Sequence, residues 1–204
     1  MDQIYNQISD IMLGRREESA LAKRLKERFS LYGIQVLEVY HFRTQRGYQC
    51  KIYIERETLP ASRFRQISKD EEAFVRGALE KAGVKEKLDT IDIRFADFIS
   101  HAKYQIMWQA VQIISEKQEQ QYPDVWKFHK SYGGSAVVFY FTDKDVKRKE
   151  INGRSQEIRR QFHDTICDYD ELRLFGALES VRIRFDSKER LDRDFGGSIF
   201  GYDR

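Results

Sequence analysis

The chain has 204 residues, of which 41% are hydrophobic and 13% aromatic, so it can build a core without metals or disulfides. Its 36 Lys and Arg against 33 Asp and Glu give a formal charge of +3, too weak to drive nucleic-acid binding without local clustering. The chain has no run of about 18 apolar residues, so the sequence predicts no membrane span. The first residues also lack the pattern of a secretory signal. With only two cysteines, Cys50 and Cys167, the composition predicts a soluble, cytoplasmic protein.

The first half of the chain, residues 1–100, predicts an N-terminal helix followed by an α-β-β-α-β module. Apolar spacing and turn residues mark the elements. In chain order they are helices at 2–13 and 17–32, strands at 34–42 and 48–54, a helix after Ser68, and a strand at 90–95. Ser68 and Glu71 match a capping box, and residues 43–47 are predicted to form the hairpin loop.

The second half, residues 101–204, predicts the same order of elements. A helix at 104–121 links the halves, and a basic connection at 144–154 joins the second strand to the next helix. The remaining elements are strands at 125–129 and 136–142, a helix at 155–169 and a strand at 181–185. Three aromatic residues near the end, Phe195, Phe200 and Tyr202, predict that the tail packs onto the body.

A repeated phrase ties the halves together. Residues 91–95 read IDIRF, and ninety positions later residues 181–185 read VRIRF. We therefore predict an α+β fold, a tandem pseudo-repeat of two α-β-β-α-β modules with mostly antiparallel or mixed sheets. The predicted core consists of Leu21, Leu25, Ile52, Ile54, Phe74, Leu79, Ile93, Val111, Val138, Phe162 and Ile183.

Sequence patterns typical of catalysis are missing. The chain contains neither a G-x-S-x-G nucleophile elbow nor a glycine-rich phosphate loop. His163 and Cys167 stand four apart on a predicted helix and could face one metal, but no second pair of ligands has a comparable spacing. We therefore predict no metal, no cofactor and no catalytic residue, and favour a protein that is not an enzyme.

The strongest positive signal is a basic and aromatic stretch around the first hairpin, at residues 40–65. Cations can bind phosphates and flat rings can stack on bases, as RNA or single-stranded binding requires. The candidate binding residues are Arg43, Arg46, Tyr48, Lys51, Tyr53, Arg63 and Arg65. Ordinary solvated loops between strands would have a similar composition, and this interpretation stays open.

Aromatic and arginine side chains also anchor protein interfaces. Tyr53, Trp126, Phe128 and Tyr140 are candidate anchors wherever they lie on the exposed sides of their strands. We expect a non-catalytic intracellular binding protein with a protein partner, acting as an inhibitor, an immunity-type factor or a regulatory factor. Nucleic-acid binding through residues 40–65 is the alternative. The identity of the partner and the oligomeric state are open.

Overall fold

The computed structural model describes residues 2–45, 47–55, 67–131 and 133–203. In this part of the chain the fold is mixed α and β, with helices around two three-stranded mixed sheets. The chain divides into two compact units, one of Asp2–Ile99 and one that begins at Ser100. Among the described helices, none combines the length and the apolar composition needed to cross a bilayer.

The described residues of the first unit form three helices and one sheet. Its elements are α1 (Gln3–Met12), α2 (Ala20–Ser30), β1 (Val36–Thr44), β2 (Gly47–Ile54), α3 (Lys69–Lys81), a 3₁₀ turn (Leu88–Thr90) and β3 (Asp92–Asp97). The central strand is β2, which pairs antiparallel with β1 and parallel with β3. The sheet is therefore mixed, as predicted.

Side-chain caps determine where the helices of this unit begin. Glu71 N–H donates to Ser68 Oγ at 3.2 Å and Ser68 N–H donates to the Glu71 carboxylate at 2.8 Å, which confirms the predicted capping box. Helix α2 begins at residue 20, three residues later than predicted, because Ser19 is its N-cap and accepts a hydrogen bond from Ala22 N–H at 3.1 Å.

One face of the first sheet packs on α2 and α3. Phe29 meets Phe95 edge to face, with ring centroids 5.3 Å apart. The predicted core residues that are fully buried here are Leu25, Ile52, Ile54 and Leu79. The predicted core residues that are only partly buried, and pack around this cluster, are Leu21, Phe74 and Ile93. We call this side of the sheet the inner face and the opposite side the outer face.

The first hairpin is tighter than predicted. Thr44 pairs with Gly47 and Arg43 pairs with Tyr48, so both strands extend into the predicted loop at 43–47. Thr44 Oγ1 donates to Gly47 carbonyl oxygen at 2.9 Å, which ties the two strand ends together. Loop composition marked the turn correctly, but polar residues at the end of a strand have the same composition.

The second unit contains the other sheet. Its elements are α4 (Phe98–Glu116), which starts at the end of the first unit, α5 (Gln118–Gln121), β4 (Val125–Ser131), β5 (Ser135–Tyr140), α6 (Asp143–Ile151), α7 (Arg154–Cys167), a 3₁₀ turn (Leu178–Ser180), β6 (Ile183–Ser187), α8 (Lys188–Phe195) and α9 (Ile199–Tyr202). Strand β5 is central, antiparallel to β4 and parallel to β6. The predicted core residues of this half, all buried, are Val111, Val138, Phe162 and Ile183.

Helices cover both faces of this second sheet. On one face the Phe128 ring lies 5.9 Å from that of Phe162 on α7. On the other face Val137 and Phe139 pack with Leu191 of α8 and with residues of the C-terminal tail. The tail residues in this cluster are Phe195, Ile199 and Tyr202. The predicted packing of the tail is confirmed for Phe195 and Tyr202, whereas Phe200 is exposed.

Several helices of the second half differ from the prediction, and α8 and α9 lie in the segment predicted only as a packed tail. Helix α4 begins at residue 98 and ends at residue 116, instead of spanning 104–121. Its start was missed because Phe98 and Ala102, both buried and four apart, follow the strand without a break. Helix α6 replaces the predicted connection: Thr142 and Asp145 form a capping box that starts it, but the helix carries too few apolar residues to show a stripe.

Among the described glycines of the second unit, Gly134 has the least room for an added side chain. Gly133 and Gly134 both have positive φ, of 68° and 71°, so Gly→Ala costs roughly 1–2 kcal/mol at either. Only at Gly134 would the new Cβ meet Lys103, at 2.8 Å from its Cβ. We expect Gly134→Ala to lose about 1–3 kcal/mol more unfolding free energy in urea than the control Gly133→Ala. Equal losses would contradict this packing.

Candidate functional site

The two faces of the first sheet divide the predicted binding residues. Tyr48 lies on the inner face, where its ring stacks on His41 at 5.5 Å. Arg43 pairs with Tyr48 and shares this side, with its side chain exposed. Lys51 and Tyr53 lie on the outer face, since successive side chains of a strand alternate. The remaining candidates, Arg46, Arg63 and Arg65, lie outside the described residues.

Three of the four proposed aromatic anchors are not exposed. Tyr53 is 3% exposed, its ring lies 5.8 Å from that of Tyr40, and burial raises its pKa to about 12. Phe128 and Tyr140 are also buried. These three side chains do not meet the condition of exposure, because helices cover the faces on which they lie. Trp126 alone is half-buried.

An open surface remains on the outer face, at the hairpin end of the sheet. Phe42 pairs with Gln49 and Gln49 with Asp92, so these three side chains form one row across the strands. Lys51 pairs with Arg94 in the next row. We call these five residues the outer-face patch. Asp92 and Arg94 are exposed and the other three are half-buried, which leaves the patch accessible.

Charges within the outer-face patch are partly matched. Lys51 Nζ lies 5.5 Å from the centre of the Phe42 ring, within the range of a cation–π contact. Arg94 Nε lies 2.7 Å from Asp92 Oδ2, and Gln49 Nε2 donates to the same oxygen at 3.0 Å. The hydrogen bond from Arg94 is the main cause that lowers the pKa of Asp92. The carboxylate is therefore charged at neutral pH and offsets the charge of Arg94.

Helix α1 limits the patch at its other end. Tyr40 Oη donates to Gln7 Oε1 of α1 at 2.8 Å, and burial raises the pKa of Tyr40 to about 12. One row further along, Glu38 is buried and accepts hydrogen bonds from the backbone N–H and hydroxyl of Ser19, at 3.0 and 2.5 Å. Among the described residues, the accessible half of the outer face is therefore the one next to the hairpin.

Asp92 and Arg94 were not among the predicted binding residues. They lie in the IDIRF phrase, whose similarity to VRIRF predicts the repeat. A polar residue at every second position of that phrase indicates an exposed strand face, which was the available signal. What the sequence could not show is that β3 places this face beside Lys51.

His163 and Cys167 come together but do not gather further ligands. The Cys167 sulfur lies 3.7 Å from His163 Nε2, and the same nitrogen lies 3.1 Å from the carbonyl oxygen of Gly176. Within the described ranges, no three His, Cys, Asp or Glu side chains are arranged to hold a metal ion. Cys167 and Cys50 are both free thiols, so they do not form a disulfide.

A serine, a histidine and an aspartate also meet on the second sheet, but not in the order that activates a nucleophile. Ser131 Oγ donates to Asp203 Oδ1 at 2.8 Å, and His129 Nε2 lies 2.7 Å from Asp203 Oδ2. In a catalytic triad the histidine would lie between the other two. Here both residues bind the carboxylate directly, and the contact holds the C-terminal tail on β4.

Comparisons with protein-family models, with curated proteins and with solved structures gave no match to this chain. A functional hypothesis therefore rests on the chemistry of the chain's own residues. Of the groups described above, the outer-face patch is the accessible surface that combines an aromatic ring, Phe42, with charged side chains. Arg94 is paired with Asp92, and Lys51 lies over the ring.

The two thiols should differ sharply in reactivity. We expect iodoacetamide to label Cys167 in the native protein and Cys50 only after unfolding, because burial raises the pKa of Cys50 to about 12. Burial first, and then Asp164, Asp170 and Asp168, raise the pKa of Cys167. Asp164→Asn should lower that pKa and speed alkylation at pH 8 roughly two- to threefold. Mass spectrometry of the labelled peptides measures both rates.

Cys167→Ser is the control for this experiment, since it should leave the native protein unlabelled. Labelling of Cys50 at the same rate as Cys167 in native buffer would contradict the closed packing of β2.

Proposed function

We propose that this chain is a non-catalytic binding protein that holds a protein partner on the outer-face patch. The observation that carries the proposal is the direct pairing of Lys51 with Arg94 beside the half-buried ring of Phe42. Like charges opposite each other on neighbouring strands cost stability. Asp92 already offsets the charge of Arg94, whereas Lys51 forms no ion pair with a described residue. A carboxylate supplied by a partner would pair with Lys51, and the Phe42 ring would add an apolar contact. Arginine and aromatic residues are enriched at the centres of protein interfaces.

A protein partner fits the patch better than nucleic acid does. Asp92 lies in the same surface and would repel a phosphate backbone, and it already neutralises Arg94. Lys51 lies over the Phe42 ring, at a site where a base would have to stack. Nucleic acid is the second candidate, favoured by the exposed side chain of Arg43 at the hairpin end of the same sheet.

We also propose that the two units are a tandem repeat. Support comes from the strand order, which is the same in both sheets, and from irregularities in register at Val36/Glu38 and at Val125/Lys127. A looser similarity is that Arg76 on α3 and Arg159 on α7 both donate to main-chain carbonyls of the IDIRF and VRIRF phrases, of Ile91 and Ile183, at positions two residues apart in the repeat. A cytoplasmic location is proposed on the low cysteine content of the chain.

Charge reversal in the outer-face patch should release the partner. We expect a protein that tagged wild-type chain retains from an extract of the source cells to be retained at least tenfold less by Lys51→Glu. A tenfold loss corresponds to about 1.4 kcal/mol, a usual size for a lost charged contact in an interface. Quantitative mass spectrometry of the retained proteins measures the difference.

Lys85→Glu is the matched control, because Lys85 is an exposed lysine of the same unit outside the patch. It should retain the same partner as wild type. Proposed binding through the patch is refuted if Lys51→Glu and Lys85→Glu retain identical sets of proteins while both melt at the wild-type temperature.

The nucleic-acid alternative has its own test. Affinity for labelled single-stranded or duplex RNA and DNA would have to fall steeply with salt if several phosphates were bound. Replacing Arg43, Arg46, Arg63 and Arg65 together by Ala should then weaken that binding and leave the melting temperature nearly unchanged. We expect instead no measurable binding near physiological salt, since the described patch supplies two cations and one of them is paired.

A further inference from the structure

Strand β6 forms one edge of the second sheet. The order β4-β5-β6 leaves its outer side without a strand in the described part of the chain. Ala136 N–H donates to the Arg182 carbonyl at 3.0 Å, so residues 182 and 184 direct their main-chain groups to β5. The alternate residues, Ile183 and Phe185, therefore direct theirs away from the sheet. An edge of this kind is a template for another strand.

The edge is open only in its first half. At the far end α6 packs close to β6, where Ser187 Oγ donates to the Asp143 carboxylate. At the near end Arg159 Nη2 donates to the Ile183 carbonyl at 3.3 Å, which confirms that this carbonyl points outward. A carbonyl oxygen has two lone pairs, so it can accept a further hydrogen bond. Ile183 and Phe185 thus offer main-chain groups to an incoming chain, whereas Val181 N–H already donates to the Leu178 carbonyl at 3.1 Å. The Arg159 guanidinium also lies beside this edge, 5.4 Å from the centre of the Phe185 ring.

Arginines surround this open edge. A surface cleft of about 420 Å³ lies along it and is lined by Arg159, Arg182 and Arg184 against a single acidic residue, Glu179. The Arg182 and Arg184 side chains are exposed. Arg184 lies 3.9 Å from Asp203, so its charge is partly offset, but the net charge of the cleft is positive. An anionic ligand would be attracted to it.

The floor of the cleft is apolar. Half-buried Leu178 and buried Val181 line it between the arginines. An extended chain presents side chains alternately to either side of its own plane, so one set of ligand residues would lie on the side of Arg182 and Arg184 and the other set on the side of Ile183, which also lines the cleft. The cleft therefore suits a segment in which acidic and apolar residues alternate.

We propose that the edge of β6 binds an acidic, extended segment of a partner protein, which adds to the second sheet as a further strand. Recognition combines main-chain hydrogen bonds to Ile183 and Phe185 with charge pairing at Arg182 and Arg184. The site lies in a different unit from the outer-face patch and does not depend on it. Strand addition to an open edge is a general mode of peptide recognition.

A phosphate polymer would make fewer contacts at this site than an extended peptide. It could pair with the arginines, but it has no regularly spaced main-chain donors and acceptors to match those of a strand edge. The apolar floor at Leu178 would also gain little from a sugar-phosphate backbone. Dependence on the ligand's own main-chain N–H groups therefore separates the two occupants.

The test uses a fluorescein-labelled ten-residue peptide of alternating Glu and Val, titrated with the full-length protein at low salt and followed by anisotropy. We expect saturable binding with Kd below about 1 mM. Arg182→Glu should raise Kd at least tenfold, while Arg160→Glu, an exposed arginine of α7 outside the cleft, should leave it within twofold. A Lys-Val peptide should not bind. Amide hydrogen exchange at Ile183 and Phe185 should slow when the Glu-Val peptide is added.

Several results would overturn the proposal. They are the absence of binding up to 1 mM, equal affinity for Arg182→Glu and wild type, and equal affinity for a Glu-Val peptide whose backbone nitrogens are all methylated. The last result, together with displacement by inorganic polyphosphate, would identify an anion site instead.

If Arg182→Glu lowers the melting temperature, Arg182→Gln replaces it, and this variant must lose at least threefold in affinity for the Glu-Val peptide. Lys51→Glu should bind the peptide like wild type, so the two proposals fail independently.

Discussion

The number of apolar residues in the central strand of each sheet determines how much of that sheet other elements must cover. Residues 136–140 of β5 are apolar or aromatic and all of them are buried. Their side chains alternate between the two faces, so each face needs a covering layer. Helix α7 supplies one, and the C-terminal helices α8 and α9 supply the other through Leu191 and Tyr202. Leaving Val137 or Phe139 in water would cost roughly 1.5–3 kcal/mol each, which explains why the tail is part of the fold.

Less of strand β2 has to be covered by other elements. Its inner-face residues, such as Cys50 and Ile52, are buried like those of β5, but Gln49 and Lys51 on the outer face are polar. Only the end of the strand that carries Tyr53 needs a cover, and α1 lies against the neighbouring strand at Tyr40. The accessible half of this face is thus a consequence of two polar residues in the central strand.

The same alternation explains which helices, strands and site residues could be predicted from the sequence. Strands with a regular apolar period and helices with a clear stripe or capping box, such as α3 after Ser68, were located from the sequence. Helix α6 was missed because it lies on the surface with almost no apolar stripe. The candidate site was only partly foreseen: Lys51 was identified, whereas Tyr53 is buried and Arg94 was overlooked. Burial on the outer face depends on which helices cover it, and sequence spacing within a strand does not contain that information.

Under the proposed tandem repeat, the counterpart of Lys51 in the second unit is Val137, so the charge of Lys51 would not be needed for folding. Lys51 pairs with Arg94 in the first sheet, and Val137 pairs with Arg184 in the second, so an apolar residue fits this position beside an arginine. Lys51 and Arg94 are opposite each other on neighbouring strands, where like charges are destabilising. Asp92 offsets Arg94 but makes no such contact with Lys51, whose neighbour is the Phe42 ring. A lysine opposite an arginine costs some stability, part of which Asp92 offsets, and a carboxylate of the proposed partner would pair with Lys51 itself.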